Sequence, residues 1–381
     1  VLSTNNLLIT EVERSQLSSE TILLDSFFYN HPSSHGGTHR TQQVLELIEQ
    51  AQLSILPFER KILKTKLERY RAGISATLNL KTFQFILKNR ISISPYFSAL
   101  AFCGFQRKLY HSVLGKHAGA KLLIWEATKN YVAPYVAKET GFKVVALPHN
   151  LEALVPKQDG FFEDCETEIR ALAKADVIFC IAREEEWLLR LNGVNAYYLP
   201  YYPPRSIVEK LLNIRQSRLN LSRSRFLILG TANNPPTRLG MIEQLEWLHD
   251  LTQEFGFQVD VVGYGTEQLK DYCTNENVTI HGAVSSEELD QFLLQAKALL
   301  VHQKPSTGAL TRIPEAIIAG IPVIANSIAC RSAFDYSGVY CYYDRDELVS
   351  FMRQDLAIPE ILPRPIAAEK HFIKCLLELA H

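Results

Sequence analysis

The stretch Thr307-Gly-Ala-Leu-Thr-Arg-Ile-Pro-Glu-Ala-Ile-Ile-Ala-Gly-Ile-Pro-Val-Ile-Ala-Asn326 decides the fold. It reads as a tight glycine-containing turn, then a helix, then a buried strand. Arg312 and Glu315 lie three apart, so on a helix they share one face, one turn from the N-terminus. The free N–H groups of a helix start suit a phosphate. Arg312 adds a planar cation matched to a diphosphate, and Glu315 can accept hydrogen bonds from a ribose diol. The parts describe a nucleotide-diphosphate cradle. The plainer reading is an ordinary strand–helix–strand unit with a surface Arg/Glu pair.

Outward from this segment, strand-like and helix-like runs alternate through nearly the whole chain, which predicts an α/β protein with parallel sheets covered on both faces. In the first half Thr21–Phe28 reads as a strand, followed by a loop to Thr38 and a helix from His39. Lys121–Glu126, Lys143–Leu147, Asp176–Ala182 and Ala196–Tyr201 read as further strands. The stretch 57–118 is more helical and irregular. Tyr201-Tyr-Pro-Pro-Arg205 breaks regular structure, and Ser206–Ser224 is polar and basic, so a domain boundary belongs there.

A second alternation follows. Its strands are Phe226–Gly230, Gln258–Gly263, Val278–Gly282, Ala298–His302, Pro322–Ala325 and Val339–Tyr343. Its helices are Arg238–Phe255, Glu267–Thr274 and Ser286–Ala296. The expected organisation is 1–205, 206–358 and a C-terminal segment 359–381, whose helix Ala367–Ala380 packs back on the first domain. Two doubly wound domains leave a cleft at the carboxyl ends of both sheets, where ligands of open α/β sheets bind.

Composition excludes several classes. A chain of 381 residues with 47% hydrophobic and 21% charged residues is globular. A net charge of −1 gives no case for nucleic acid. The charge is unevenly placed, however: between Leu53 and Ala118 stand twelve Lys/Arg against Glu59 and Glu68 alone. Such asymmetry points to an anionic surface or ligand. Seven scattered cysteines without a C-x-x-C pair argue against a disulfide framework and against zinc. No apolar run approaches the ~18 residues of a bilayer span, and no signal-peptide pattern opens the chain. The cytosol is the simplest address.

At this point the residues resemble the GT-B architecture and, within it, the retaining nucleotide-sugar glycosyltransferases of family 4. The order FLILGTANNPPTRLGM … VDVVGYG … VTIHGAV … ALLVHQKPSTGALTRIPEAIIAGIPVIAN is similar to that family's C-terminal domain. HGGTHR, LPHNLE and AKADVIFCIAREEEWLLRLNG … YYLPY occur in its N-terminal order. The resemblance implies two Rossmann-like domains facing a cleft, and sugar transfer from a UDP- or GDP-linked donor to an acceptor hydroxyl with retention. No cofactor or metal is implied.

It places Glu315 at the donor ribose, as the second Glu of the family's E-x(7)-E motif. Arg312 falls at the donor diphosphate, and the Thr307, Gly308 and Ala309 amides at the distal phosphate. Gly36 and Gly37 fall where the first domain approaches the donor, and His149 and Asn150 near the transferred sugar. Two departures follow. Thr307 stands where the motif has its first Glu, and Leu239 where a Lys is common, leaving Arg238 as the phosphate cation of that loop. Arg238, Arg312 and His149 are thus the expected catalytic residues.

Each site has a plainer alternative. Gly36-Gly37 can be a surface turn with Thr38 as N-cap, and Arg40 an exposed surface cation. His149 can be a structural hydrogen-bonder, or a proton acceptor at a sugar hydroxyl. Arg183-Glu184-Glu185-Glu186 reads better as an acidic helix start than as an active-site carboxylate cluster. Asp344-Arg345-Asp346 resembles a metal-binding D-x-D, but N-capping is the better account. Tyr197, Tyr198, Tyr201 and Tyr202 read as sheet packing.

In the basic region, Lys61, Lys64, Arg69 and Arg71 interleave with Ile62, Leu63 and Leu67. That pattern fits either peripheral contact with the inner membrane face or a solvated helical surface. The competing functions are a GT-B domain that has lost catalysis and serves as a binding partner, and, last, a nucleotide-sugar epimerase.

Overall fold

The computed structural model describes residues 21–29, 36–59, 65–91, 96–155 and 165–381. Two six-stranded parallel sheets lie in succession along the chain. The first is built from β1 (Thr21–Asp25), β2 (Ser54–Pro57), β3 (Leu122–Trp125), β4 (Lys143–Ala146), β5 (Val177–Cys180) and β6 (Ala196–Tyr198), in the order β2-β1-β3-β4-β5-β6. Helices α1 (Gly36–Gln50), α2 (Lys66–Thr77), α3 (Leu80–Asn89), α4 (Tyr96–Lys116), α5 (Ala133–Glu139), α6 (Cys165–Leu172) and α7 (Arg183–Leu191) connect them. Strands such as Leu-Leu-Ile-Trp125 are buried along their whole length, as a sheet covered on both faces requires.

The second half begins with α8 (Arg205–Arg218), a helix within the stretch that the sequence marked only as polar and basic. It is a helix because Leu211 and Ile214 pack with Ile317, Ile318 and Ile321. The buried Arg218 guanidinium donates to the carbonyls of Leu294, Ala296 and Gly320 at 3.1, 2.9 and 3.3 Å.

Then follow β7 (Arg225–Leu229), α9 (Pro235–Phe255), β8 (Gln258–Val262), β9 (Val278–Gly282), α10 (Ser286–Gln295), β10 (Ala296–Val301), α11 (Arg312–Ile318), β11 (Val323–Asn326), α12 (Ser327–Cys330), β12 (Val339–Tyr342) and α13 (Arg345–Arg353). The order is β12-β11-β10-β7-β8-β9. Residues Thr266–Tyr272, expected as an α-helix, form the tighter 3-10 type. The last helix, α14 (Ile366–Ala380), buries Phe372, Ile373 and Leu376 among Ile22, Val44, Leu47 and Phe179 of the first domain.

Strand order positions the site. In each sheet the chain runs outward on one side, then returns to start the other side. The reversal falls between β1 and β3 in the first sheet and between β7 and β10 in the second. Loops leaving such a pair diverge to opposite faces and open a crevice at the carboxyl edge.

Two smaller expectations concern helix starts. The Asp344 side chain accepts from the Glu347 N–H and caps α13. Ser285 and Glu288 form a reciprocal capping box on α10. Among the described residues no three His, Cys, Asp or Glu side chains come together as a metal-ligand set.

Candidate active site

At the β7/β10 reversal, the guanidinium of Arg312, first residue of α11, lies against the end of β7. A Cβ on Gly230 would meet its Nη1 at 2.9 Å. Among the described residues it makes no hydrogen bond or ion pair, and its Nε is buried without a partner. Burial pushes this guanidinium down to about 10. A half-buried cation without a partner is costly, so this one is poised for an anion. Arg238 lies one turn into α9 and is exposed, on the helix that starts just beyond the β7 loop.

Glu315 follows one turn after Arg312 and reaches across to the first domain. Its Oε1 takes the Tyr201 hydroxyl at 2.5 Å and pairs with His39 Nδ1 at 2.8 Å. The other carboxylate oxygen makes no hydrogen bond among the described residues. Tyr201, expected to be sheet packing, is therefore an interdomain ligand of Glu315. Its place just beyond β6, at the carboxyl edge, was the available signal.

The loop before α11 is also held by the first domain. Thr307 Oγ1 donates to the Leu151 carbonyl at 3.0 Å. The Gly308 N–H, expected to be open to a phosphate, donates instead to Glu185 Oε1 at 2.5 Å. Arg331 donates to the Gly308 carbonyl at 2.5 Å. Gly308 has φ of +79° and no space for a side chain: a Cβ would lie 2.2 Å from Asn150 Oδ1 and 2.5 Å from the His149 carbonyl. Only glycine meets both demands. Ala309 lines a cavity of about 20 Å3 beside Gly308, Tyr201 and Arg331, room for about one water.

Glu185 does lie in the acidic first turn of α7, as the sequence suggested, but it is not a surface group. It is buried, and its Oε2 has no hydrogen-bond partner. Burial raises it to about 8, against the Gly308 amide and the Arg331 charge. Nearby Glu168, which accepts from the Glu152 and Ala153 amides at 2.8 Å each, is raised by burial to about 7. Its neighbour Glu184 behaves differently, accepting from Ser332 at 2.5 Å, while Arg183 pairs with Asp335 at 3.0 Å.

The first sheet's reversal carries a second cluster. Glu126, just beyond β3, is fully buried and accepts from Thr41 Oγ1 at 2.9 Å and from His149 Nε2 at 3.0 Å. Burial pushes its carboxyl up, but hydrogen bonding and charge from His149, with Ser26 and Thr41, outweigh this and hold it below its ordinary value. His149 also packs on Phe28, ring centroids 5.1 Å apart. Sequence reasoning singled out His149 and missed Glu126, although a carboxylate directly after a buried strand at the sheet's carboxyl edge is a usable signal.

Gly36 and Gly37 open α1 and are pressed from both sides. A Cβ on Gly36 would meet Thr311 Oγ1 at 2.2 Å, and one on Gly37 the Phe28 ring at 2.9 Å. Arg40, expected to be exposed, is 3% exposed and donates to Gln43 at 2.6 Å. Gly36, Gly308, Glu315, His149 and Asn150 therefore border one interdomain seam, while Arg312, at the start of the same helix as Glu315, lies against Gly230 and Arg238 is exposed on α9.

No protein-family model matches the chain, and no curated protein is similar to it in sequence. Solved structures are similar in fold. Sucrose-phosphate synthase from Thermosynechococcus elongatus matches at TM-score 0.57 and 14% identity, over 95% of each chain. HepE from Anabaena, solved with UDP, matches at 0.58 and 12%, over 94% of this chain and all of the other. UDP-GlcNAc 2-epimerase from Methanocaldococcus jannaschii, solved with UDP-GlcNAc and UDP, matches at 0.52 and 13%, over 94% and 99%. Two reversed parallel sheets meeting at their carboxyl edges, and this likeness over nearly the full chain, give the protein the GT-B fold.

Proposed function

We propose that this protein is a glycosyltransferase that moves a sugar from a UDP- or GDP-linked donor to an acceptor hydroxyl, with retention and without a metal. The observation that carries the reading is the unpaired Arg312 guanidinium at the β7/β10 reversal. Negative charge grows on the departing diphosphate during transfer, and Arg312 meets it there with Arg238 and the 307–309 amides. Glu315 holds the ribose and so positions the donor. His149, held by Glu126, handles a proton at a sugar hydroxyl near the acceptor side. HepE and the epimerase are both solved with uridine nucleotides, in keeping with such a donor.

A nucleotide sugar needs roughly 300 Å3 or more, against about 20 Å3 at the Gly308–Tyr201 seam. Donor entry between Gly308 and Glu315 therefore parts the domains, releasing Gly308 from Glu185 and Glu315 from Tyr201 and His39.

The test is a thermal-shift panel of UDP, GDP, ADP and their sugar conjugates, since a ligand of the native state raises apparent stability by mass action. One nucleotide class should shift the melt, and Arg312→Ala should abolish the shift. The same closed seam favours a second reading, a GT-B domain that binds a partner and has lost catalysis. No shift with any nucleotide would select it.

A further inference from the structure

The outer surface of α2 and α3 carries apolar side chains that the protein's own core does not use. Leu67, Tyr70 and Ile74 recur at i, i+3 and i+7 on α2 and are 58, 63 and 48% exposed. Leu80, Phe83 and Leu87 recur in the same way on α3, at 71, 40 and 76%. Leu78, in the turn between them, is 82% exposed. Each helix turns a different face inward. α3 buries Thr82, Phe85 and Ile86, and α2 packs the buried Gly73 so closely on α4 that a Cβ added there would meet Ala101 Cβ at 3.0 Å. The outward stripe is thus additional to the packing that holds the helices.

Single exposed leucines need no explanation, but seven exposed apolar side chains on two touching helices and the turn between them do. The flank supplies its chemistry. Arg71, Lys81 and Lys88 are exposed on the same two helices and Arg90 at the cap of α3, against Glu68 as the one exposed acid among the described residues there. Lys88 has a loose pair with Glu139 at 3.7 Å and stays 72% exposed. Among the described residues no helix is long and apolar enough to cross a bilayer. Of the basic region singled out in the sequence, residues 61–64 and the Arg69 side chain lie outside what the structure describes.

We infer that this face docks on an anionic lipid surface, with the leucine stripe entering the headgroup boundary and the cations meeting lipid phosphates. Helices that lie in a membrane interface pair an apolar stripe with Lys/Arg on the polar side, and each surface cation adds attraction to anionic lipid. A protein partner fits less well, because protein interfaces are depleted in Lys and enriched in aromatic residues at their core. Leucine dominates here. The inference stands apart from the donor-site reading, since lipid binding is scored with no nucleotide present.

The test is flotation of the full chain with phosphatidylcholine vesicles, and with vesicles about one-third phosphatidylglycerol, in low and high salt. The anionic vesicles should carry the protein, and high salt should weaken binding. Leu78→Ser/Leu80→Ser/Leu87→Ser and Lys81→Glu/Lys88→Glu should each lower binding by at least about tenfold. All seven positions of the stripe are exposed, so the variants' melting temperatures should stay near that of the unmodified chain. Equal binding to neutral vesicles, no binding to either, or a triple-serine variant that binds undiminished would overturn the inference. So would a dimer in light scattering that the triple-serine variant dissolves, because the face would then be covered by a second copy.

Discussion

Replacing Arg312 by Met should stabilise the empty protein and cripple its donor site. The guanidinium is pushed down to about 10 by burial and has no partner among the described residues. For a base whose folded value lies below its unfolded value, the cost of carrying the charge is present in full at neutral pH. It is relieved only as pH rises past about 10. Each pH unit of displacement is worth about 1.4 kcal/mol, so the gross cost is on the order of 3 kcal/mol. The site is partly open to solvent, which reduces the figure to about 1–2 kcal/mol.

Met keeps most of the apolar stem and removes the charge, so the melting temperature should rise by a few degrees. A charge-assisted contact to phosphate is worth about 1.5–3 kcal/mol, so affinity for the nucleoside diphosphate should fall roughly 10- to 150-fold. Calorimetric melting and titration with UDP and GDP read both effects on one sample. A variant that melts lower while binding nucleotide unchanged would refute the argument that Arg312 is held unpaired for a ligand.

Other expectations follow from the seam. Tyr201→Phe removes one bond to Glu315 Oε1 and should leave nucleotide affinity equal or better by titration, whereas Glu315→Ala should weaken it about tenfold or more. Glu185→Gln should flatten the pH dependence of stability. Its raised carboxyl makes folding strongest at low pH and progressively weaker as pH rises through about 8, so melts across pH 5–9 check the sign. Glu126 is held below its ordinary value, so its stabilisation is present above that value and lost on acidification. Glu126→Ala should cost about 2–4 kcal/mol in urea unfolding, with Glu126→Gln milder. Gly308→Ala should cost at least about 1–3 kcal/mol, since its Cβ has neither the angle nor the room.

The second sheet was legible because most of its strands are apolar runs with a glycine or proline at one end, as in Phe226–Gly230 and Pro322–Ala325. The order of its motifs pointed to the GT-B fold without further help. β2 escaped notice because Ser54-Ile-Leu-Pro57 is four residues long and ends in proline, which only an edge strand tolerates. α8 was hidden by its composition, with Leu211, Ile214 and Arg218 its only buried residues.

Within the site, the sequence offered individual residues but not their neighbours. His39 meets Glu315 across 276 positions and Glu126 meets Thr41 across 85. No periodicity encodes such pairs: the first exists only once the two domains close on each other, and the second only once α1 packs beside the end of β3. Glu185 shows the same limit. An acidic first turn is favoured by the helix dipole wherever it lies, and nothing local distinguishes a solvated carboxylate from one pressed onto Gly308.

The most direct measurement is release of free nucleoside diphosphate from a panel of UDP-, GDP- and ADP-sugars incubated with the full chain, with the released sugar's anomer read by NMR. The account predicts slow release from a UDP- or GDP-sugar, with the donor's anomeric configuration kept and Arg312→Ala silent. Release that survives Arg312→Ala, or no release and no binding from any donor, would contradict it.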